Sequence, residues 1–572
     1  MSDFVPRQSL KIAAVAALTF LTACSSEAPG GPADWIFTGK AYTLDERGAP
    51  VAEAVAVAGD RIVAVGARDE VMRLGDAGTR LVELGPDEAL LPGLIDAHGH
   101  LLNLGLMLYT VDLSDAASYV ELVALVEEYE ETLPSGAWVL GYGWDQNRWK
   151  EKTFPTHELL SEAVPDRPAW LTRVDGQAGL ANRKAMELAG LDDRVPPDPP
   201  GGRIVRDPET GSPTGVFVDT AMRFIGHIIP PLRGGEVGQR VLDAVKACVS
   251  LGLTSVHEAS ASPTLLEVLE YLAENGMLPL RVYAMVDGRA GLPEEGLAPP
   301  RIGLHDGFLT VRTLKLSLDG ALGLRSAALL APYADDPENK GPLLSLSRED
   351  FKAACEHALE RGYQAAVHAI GDRANRAALE VYREVLASAE NPKELRWRVE
   401  HAQVAATEDI PHFARLGLLV SMQPVHATSH MPWAVERLGE ARLAGAYAWR
   451  KFLDAGCTLA AGSDFPAEPP NPFFGLYAAI TRQDREGNPP GGWRPEERLT
   501  REEAFRAFTR AAAYAAFEED LKGALREGMF ADLIVVDRDV MEVPPLALRE
   551  ARVLLTMTGG KVRFTVKPEW RP

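Results

Sequence analysis

The chain is poor in cysteine, with four in 572 residues. One lies near the N-terminus, and Cys248, Cys355 and Cys457 form an odd set at no ligand-like spacing. That excludes a disulfide scaffold and predicts buried, reduced thiols. Basic side chains are also in deficit, since 59 Lys and Arg against 81 Asp and Glu give a formal net charge of −22. Phosphate backbones bind to basic surfaces, so the balance argues against a nucleic-acid partner and for solubility. Internal repeats are missing, as are a Gly-x-Ser-x-Gly elbow and a phosphate-cradling loop, which sets serine-hydrolase chemistry aside.

Long apolar runs are scarce too. The run at 12–23 follows Arg7 and Lys11, is too short to span a bilayer, and has the form of a signal h-region. Its ending, Leu21-Thr22-Ala23-Cys24, resembles a bacterial lipobox. Cleavage before Cys24, lipidation of its thiol and export to the outer membrane, facing the periplasm, are the expectations, with Ser25 as the sorting residue. An ordinary cleaved secretory signal is the simpler alternative. Residues 1–23 then form the signal peptide and 24–33 a flexible tether. The only membrane contact expected is the lipid on Cys24, and a homodimer is left open.

What is present is β-like at both ends. Val55 and Val57 alternate with alanines, Gly59-Asp60 supplies a turn, and Ile62, Val63 and Val65 begin a return strand. Residues 531–537 and 559–564 read as short strands at the far end. Chain termini often lie close together, so 34–90 plus 523–567 are expected to form one small β-sandwich domain. Between them, residues 91–522 alternate apolar runs with helical patterns such as 348–361. Strands are predicted near 94–98, 253–257, 281–286, 313–318, 364–368, 397–401, 418–422 and 458–464. Eight such strands make an α/β fold, a distorted (β/α)8 TIM barrel, the economical choice. The stretch 102–235 is too long for one crossover and is read as an insertion above the barrel mouth.

The first predicted barrel strand, Pro92-Gly93-Leu94-Ile95-Asp96-Ala97-His98-Gly99-His100, ends in two imidazoles of one parity. They are either a metal-ligand pair or a core histidine beside an exposed one. Polar residues mark the ends of later strands as well. In 313–319 the leucines take one parity while Thr313, Lys315, Ser317 and Asp319 take the other, sending Lys315 inward. An inward lysine must be neutralised, paired or modified. His368, His401 and Asp464 close three further strands, and nitrogen and oxygen donors of this kind suit zinc or a similar metal.

With PGLIDAHGH, this ordered set resembles the amidohydrolase superfamily. GYGWDQNRW at 141–149, LKLSLDGALGLRSAAL at 314–329, VHAIGDRAN at 367–375 and RVEHAQ at 398–403 narrow it. They are similar to the YtcJ-like metal-dependent hydrolases, which include N-substituted formamide deformylase. The resemblance implies two divalent metal ions, zinc by expectation. His98 and His100 would hold the more buried one, and His368 and His401 the second. Lys315 would be an N6-carboxylysine bridging both, and Asp464 a ligand and the proton shuttle. The implied reaction is cleavage of an amide or other acyl C–N bond in a small N-acyl or N-formyl amine by a metal-bridging hydroxide. Two alternatives are a mononuclear deaminase of a heterocycle and an inactive tethered binding lipoprotein. Related deaminases carry a glutamate three residues after the strand-five histidine, where this chain has Gly371. One departure concerns the substrate: the family's insertion commonly has a His in a DGH-like motif where this chain has Gln177. Trp144, Asp145, Arg148, Gln177, Asp319, Arg325 and Asp372 are the candidates for lining the pocket, while His257, His426 and His430 are read as supporting residues.

Overall fold

The computed structural model describes residues 31–191, 196–288, 297–342 and 344–571. The lipobox and Cys24 lie outside the described residues. Cys248, Cys355 and Cys457 are buried free thiols. Among the described residues, no helix is long and apolar enough to cross a membrane.

The centre of the molecule is a parallel barrel of eight strands. These are β1 (Leu94–Gly99), β2 (Leu253–Ala261), β3 (Arg281–Asp287), β4 (Leu309–Ser317), β5 (Gln364–Ala369), β6 (Arg398–His401), β7 (Leu419–Met422) and β8 (Thr458–Ala461). Each pairs with its sequence neighbour from β1 to β8. The last seam, between β8 and β1, has no regular ladder in that order and is closed by the chain just beyond β8. Asp464 donates its N–H to the His98 carbonyl at 2.7 Å, and His100 donates to the Phe465 carbonyl at 2.9 Å. A Cβ at Gly462 would come within 2.5 Å of Asp96 Oδ1 and of the His98 nitrogen, so only glycine admits this approach.

Outward residues of the barrel bury against amphipathic helices. Helix Gly234–Ser250 buries Val237, Val241, Ala244, Val245, Cys248 and Val249, a stripe of helical period. Helix Arg348–Arg361 keeps the expected bounds; the Ser347 side chain accepts from the Asp350 N–H, and Gly362 ends it with φ +75. Inside, Thr313 Oγ1 lies 2.8 Å from both Tyr283 Oη and Gln364 Oε1. These three form a polar plug below the level of the metal-ligand candidates, so the barrel is a packed core and its open end is the C-terminal one.

Both chain ends meet in a second sheet of eight strands, and Arg61 bridges to Phe530 as this sheet curls over its own core. Phe37, Val55 and Val57 from one end pack there with Leu533, Val535, Leu555 and Met557 from the other. One expectation changes: Gly559 and Gly560 are not strand residues. They are the turn, at φ +57 and +69, between Val553–Thr558 and Lys561–Thr565. Two adjacent left-handed residues make a tight hairpin, which is why glycines stand there. The insertion after β1 forms a third, six-stranded sheet with its own apolar core.

Candidate metal centre

The six residues singled out as metal ligands converge at the open end of the barrel. His98 lies on β1, Lys315 on β4, His368 on β5 and His401 on β6; His100 follows β1, and Asp464 lies past β8. All six line one cavity of about 690 Å³, a size that suits a small organic ligand. The tightest group is His98, His401 and Asp464, whose donor atoms lie within 4.8 Å of one another. Around it, Lys315 Nζ is 3.5 Å from His98 Nε2, and His100 Nε2 is 3.2 Å from Asp464 Oδ1. The His368 and His401 ring centroids are 4.5 Å apart. The pairing implied by resemblance set His98 with His100 and His368 with His401. The tightest group takes one imidazole from each of those pairs, the His98 and His401 ring centroids lying 4.8 Å apart with their planes tilted by 54°.

Local backbone conformation aims these side chains. On β6, Arg398 and Glu400 point into the barrel while Val399 joins the apolar core outside it. Simple alternation would send His401 outward. It has φ +71 and Ala402 has φ +41, and this left-handed kink turns the imidazole back inside. Asp464 is likewise left-handed, at φ +62. Non-glycine residues hold such conformations only where surrounding structure enforces them, and they gather at functional sites.

Each imidazole of the tight group is fixed by a second partner. His98 Nδ1 lies 2.5 Å from Glu400 Oε2, and His401 Nδ1 lies 2.8 Å from Gln423 Oε1. Both hydrogen bonds leave Nε2 toward the centre, the tautomer a metal requires. Glu400 is held in turn by Arg398, whose Nε is 2.6 Å from Glu400 Oε1 and whose Nη2 donates to the Ala97 carbonyl and Ser421. Burial opposes ionisation of Glu400, but Arg398 and His98 beside it hold its carboxyl well below the usual range.

The electrostatics favour neutral imidazoles. Burial first, and the Lys315 ammonium second, lower His98 to about 4 and His368 to about 3. Burial, with His368 and His98 as neighbours, puts His401 well below its ordinary value. Unprotonated imidazoles and an ionised Asp464 are the states in which these groups bind a divalent cation. His368 Nε2 is also buried with no hydrogen-bond partner, and Asp319 Oδ1 stands 3.6 Å away. A buried polar atom left in that state is costly. The donor chemistry, the fixed tautomers and the orphaned nitrogen all fit a metal.

Of the pocket candidates, Gln177 alone walls the cavity, and its Oε1 is buried without a donor. Trp144 is fully buried in the core of the insertion, where its indole N–H donates to the Leu171 carbonyl at 2.7 Å. Asp145 pairs with Arg173, and Arg148 donates to the Ser114 carbonyl at 2.6 Å. Asp319 accepts backbone N–H groups of Ala328, Ile370 and Gly371 at 2.9, 2.9 and 2.8 Å, tying the loops after β4 and β5 together. Arg325 pairs with Asp335 at 2.9 Å, and Asp372 accepts the Leu330 N–H at 2.8 Å. These six residues hold loops in place and do not line the cavity. Glu400, Arg398 and Gln423 were not singled out. The first two carried a signal, since charges at alternate positions of an otherwise apolar barrel strand must face inward and need partners.

The fold and centre define a metal-dependent hydrolase barrel. The sequence comparison is specific: the amidohydrolase family model matches residues 87–564, and the chain belongs to that family. It is 32% identical over 524 residues to YtcJ of Bacillus subtilis (strain 168), described as an amidohydrolase, covering 88% of this chain and 96% of that one. It is 27% identical over 553 residues to the N-substituted formamide deformylase of Arthrobacter pascens, covering 92% and 98%. Among solved structures, an uncharacterized metal-dependent hydrolase from Pyrococcus furiosus superposes with TM-score 0.69 at 28% identity, covering 90% of this chain and 99% of that one. The protein is a hydrolase acting on carbon–nitrogen bonds.

Proposed function

We propose that this enzyme hydrolyses the acyl C–N bond of an N-acyl or N-formyl amine, using divalent metal, zinc by its nitrogen and oxygen donors, held by His98, His401 and Asp464 with His100 and His368 alongside. The observation that carries the reading is the convergence of three donor atoms within 4.8 Å at the floor of a cavity large enough for such an amide. Lys315 joins the set as a carbamate, its amine having added to carbon dioxide with loss of a proton. That modification replaces an inward cation with an oxygen donor. A bound divalent ion acidifies water and polarises the acyl oxygen.

This chain's own groups do the rest. Asp464, aimed by the left-handed turn and by His100 at 3.2 Å, accepts a proton as water attacks the acyl carbon. The C–O bond forms, the C–N bond breaks, and the same carboxyl returns the proton to the departing amine. Gln177 lines the cavity and hydrogen-bonds the substrate amide through its side chain. The deaminase alternative loses support at Gly371. A Cβ there would lie 2.0 Å from the Ala328 carbonyl oxygen, leaving no room for a glutamate.

The test is a hydrolysis screen of the zinc-loaded chain against N-acyl and N-formyl amines, esters, lactams, amidines and aminopyrimidines. Release of amine from the first group is expected. Preference for an amidine or aminopyrimidine overturns the reading.

A further inference from the structure

The barrel interior holds a histidine that the reaction does not use. On β2, Val256 joins the apolar core outside the barrel, so the alternation of the strand sends Ser255 and His257 inward. His257 is fully buried, forms no part of the cavity wall and stands outside the tight donor group. Its ring packs on Tyr283, the centroids 5.0 Å apart.

Its polar contact is to Arg398: His257 Nδ1 lies 3.0 Å from Arg398 Nη1. A guanidinium only donates, so Nδ1 is the acceptor and the proton of the neutral imidazole sits on Nε2. Burial first, then the Arg398 and Lys522 cations, hold His257 well below its ordinary value, which keeps the ring neutral. Nε2 is buried with no hydrogen-bond partner. An orphaned N–H is costly, and an apolar side chain of similar size would avoid that cost. The one thing the imidazole supplies that an apolar group cannot is the acceptor at Nδ1.

The other donors of Arg398 are committed. Nε and Nη2 grip Glu400 at 2.6 and 3.2 Å, and Nη2 also donates to the Ala97 carbonyl and to Ser421. Glu400 Oε2 then lies 2.5 Å from His98 Nδ1. The four residues form one chain of hydrogen bonds, His257–Arg398–Glu400–His98, which starts on β2, passes through β6 and ends on β1. His401 needs no such chain, because the neutral Gln423 side chain fixes it directly. His98 is held by a buried carboxylate, and a buried carboxylate is stable only while its cation stays in place.

We propose that His257 is a positioning residue for the metal centre: by accepting from Arg398 Nη1 it holds the guanidinium where it grips Glu400, and thereby Glu400 on His98, which sets the affinity of the centre for a divalent cation. The proposal rests on the reading of His98 as a metal ligand. His257 touches neither substrate nor metal and acts only through Arg398 and Glu400.

The experiment measures zinc affinity by chelator competition on the full chain, freed of metal, without any substrate. His257→Leu removes the acceptor at similar volume. His257→Asn places an amide oxygen the same number of bonds from Cα as Nδ1 and has nothing in the position of Nε2. Thermal unfolding of the metal-free variants verifies the fold. Zinc affinity should fall about 10-fold in His257→Leu and stay within about twofold of the parent in His257→Asn, the rescue that a role in packing alone would not give. In a Glu400→Gln background, His257→Leu should change affinity by less than about twofold, since residues acting through one another are not additive. Unchanged affinity in a folded His257→Leu, equal losses in the two variants, or additive losses with Glu400→Gln overturn the proposal. If His257→Leu does not fold, His257→Asn decides alone: retained affinity supports the proposal and a loss overturns it. A parent chain that binds no zinc overturns the metal reading and the proposal with it, whereas a parent that binds zinc with variants that do not respond overturns the proposal alone.

Discussion

His98 Nδ1 and Glu400 Oε2 lie 2.5 Å apart across the barrel, both side chains buried. This contact decides which nitrogen of His98 is free for a metal, and Arg398 anchors it from behind. Glu400 is therefore a positioning residue. Glu400→Gln keeps the shape but removes the charge, and metal affinity should fall about 10- to 100-fold, read by chelator competition. Thermal stability should fall as well, because Arg398 is left buried with a weaker partner. Unchanged metal affinity would reduce Glu400 to a purely structural role.

Asp464→Asn separates the proton step from assembly of the site. Metal content should be retained, while kcat falls by a factor on the order of 100 to 10,000. Metal analysis and steady-state rates on one preparation check this. Full turnover would remove Asp464 from proton transfer.

Removing metal should abolish activity and lower the unfolding temperature together. A ligand that binds only the folded state adds about 2.7 kcal/mol when present at a hundredfold its dissociation constant. Dialysis against a chelator, then zinc addition, should remove and restore both properties. Undiminished hydrolysis in a preparation with no measurable metal would refute the assignment.

Gln177 lines the cavity, and its amide oxygen is buried without a donor. Gln177→Leu should raise KM for a secondary amide about tenfold, the scale of one buried hydrogen bond. An N-methylated tertiary amide, which has no N–H to donate, should be a poor substrate for the parent enzyme and indifferent to the change. Equal sensitivity of the two amides would show that Gln177 contacts something else.

Stability toward acid should depend on Glu503, far from the centre. Hydrogen bonding from the Arg450 side chain is the largest influence and draws Glu503 down from 4.5 to about 2. A carboxyl depressed in the folded state adds stability above its unfolded value, and that stability drains away as pH falls from about 5 toward 2. The side chain is 33% exposed, so solvent screening trims the contribution to about 1 kcal/mol. Glu503→Gln can keep its capping-box contact with Thr500 while losing the charge. Unfolding temperatures of the variant and parent should differ at pH 7 and converge near pH 2. A constant difference across that range would point to the cap and away from the charge.

Much of the fold could be read from pattern. Most of the barrel strands fall where runs of apolar residues end in His, Lys or Asp, Leu419–Met422 being an exception, since a parallel strand covered on both faces needs a nearly unbroken apolar sequence. Helix 348–361 was legible because Ser347, the apolar spacing and Gly362 all agree. The C-terminal hairpin was less so. A Gly-Gly pair flanked by β-branched residues reads as strand until both left-handed angles are seen.

At the centre, residue types were legible and their arrangement was not. Metal-binding side chains declare themselves because buried imidazoles and an inward lysine are costly without a purpose. Nothing in the local pattern turns His401 inward against the alternation of its own strand; a left-handed φ imposed by the surrounding loops does that. Trp144 and Arg148 looked like pocket residues because they stand among other polar and aromatic groups in a conspicuous motif. The insertion folds around its own core and takes Trp144 into it.

The sequence by itself determined the barrel, the donor types at the ends of its strands and the family, because those rest on periodicity and on the chemistry of single residues. The tertiary structure decided which donors meet and which ring nitrogen of His98 and of His401 is free. Those depend on distances between strands far apart in the chain, such as the 302 positions separating His98 from Glu400. Only closure of the barrel brings those residues within reach of each other.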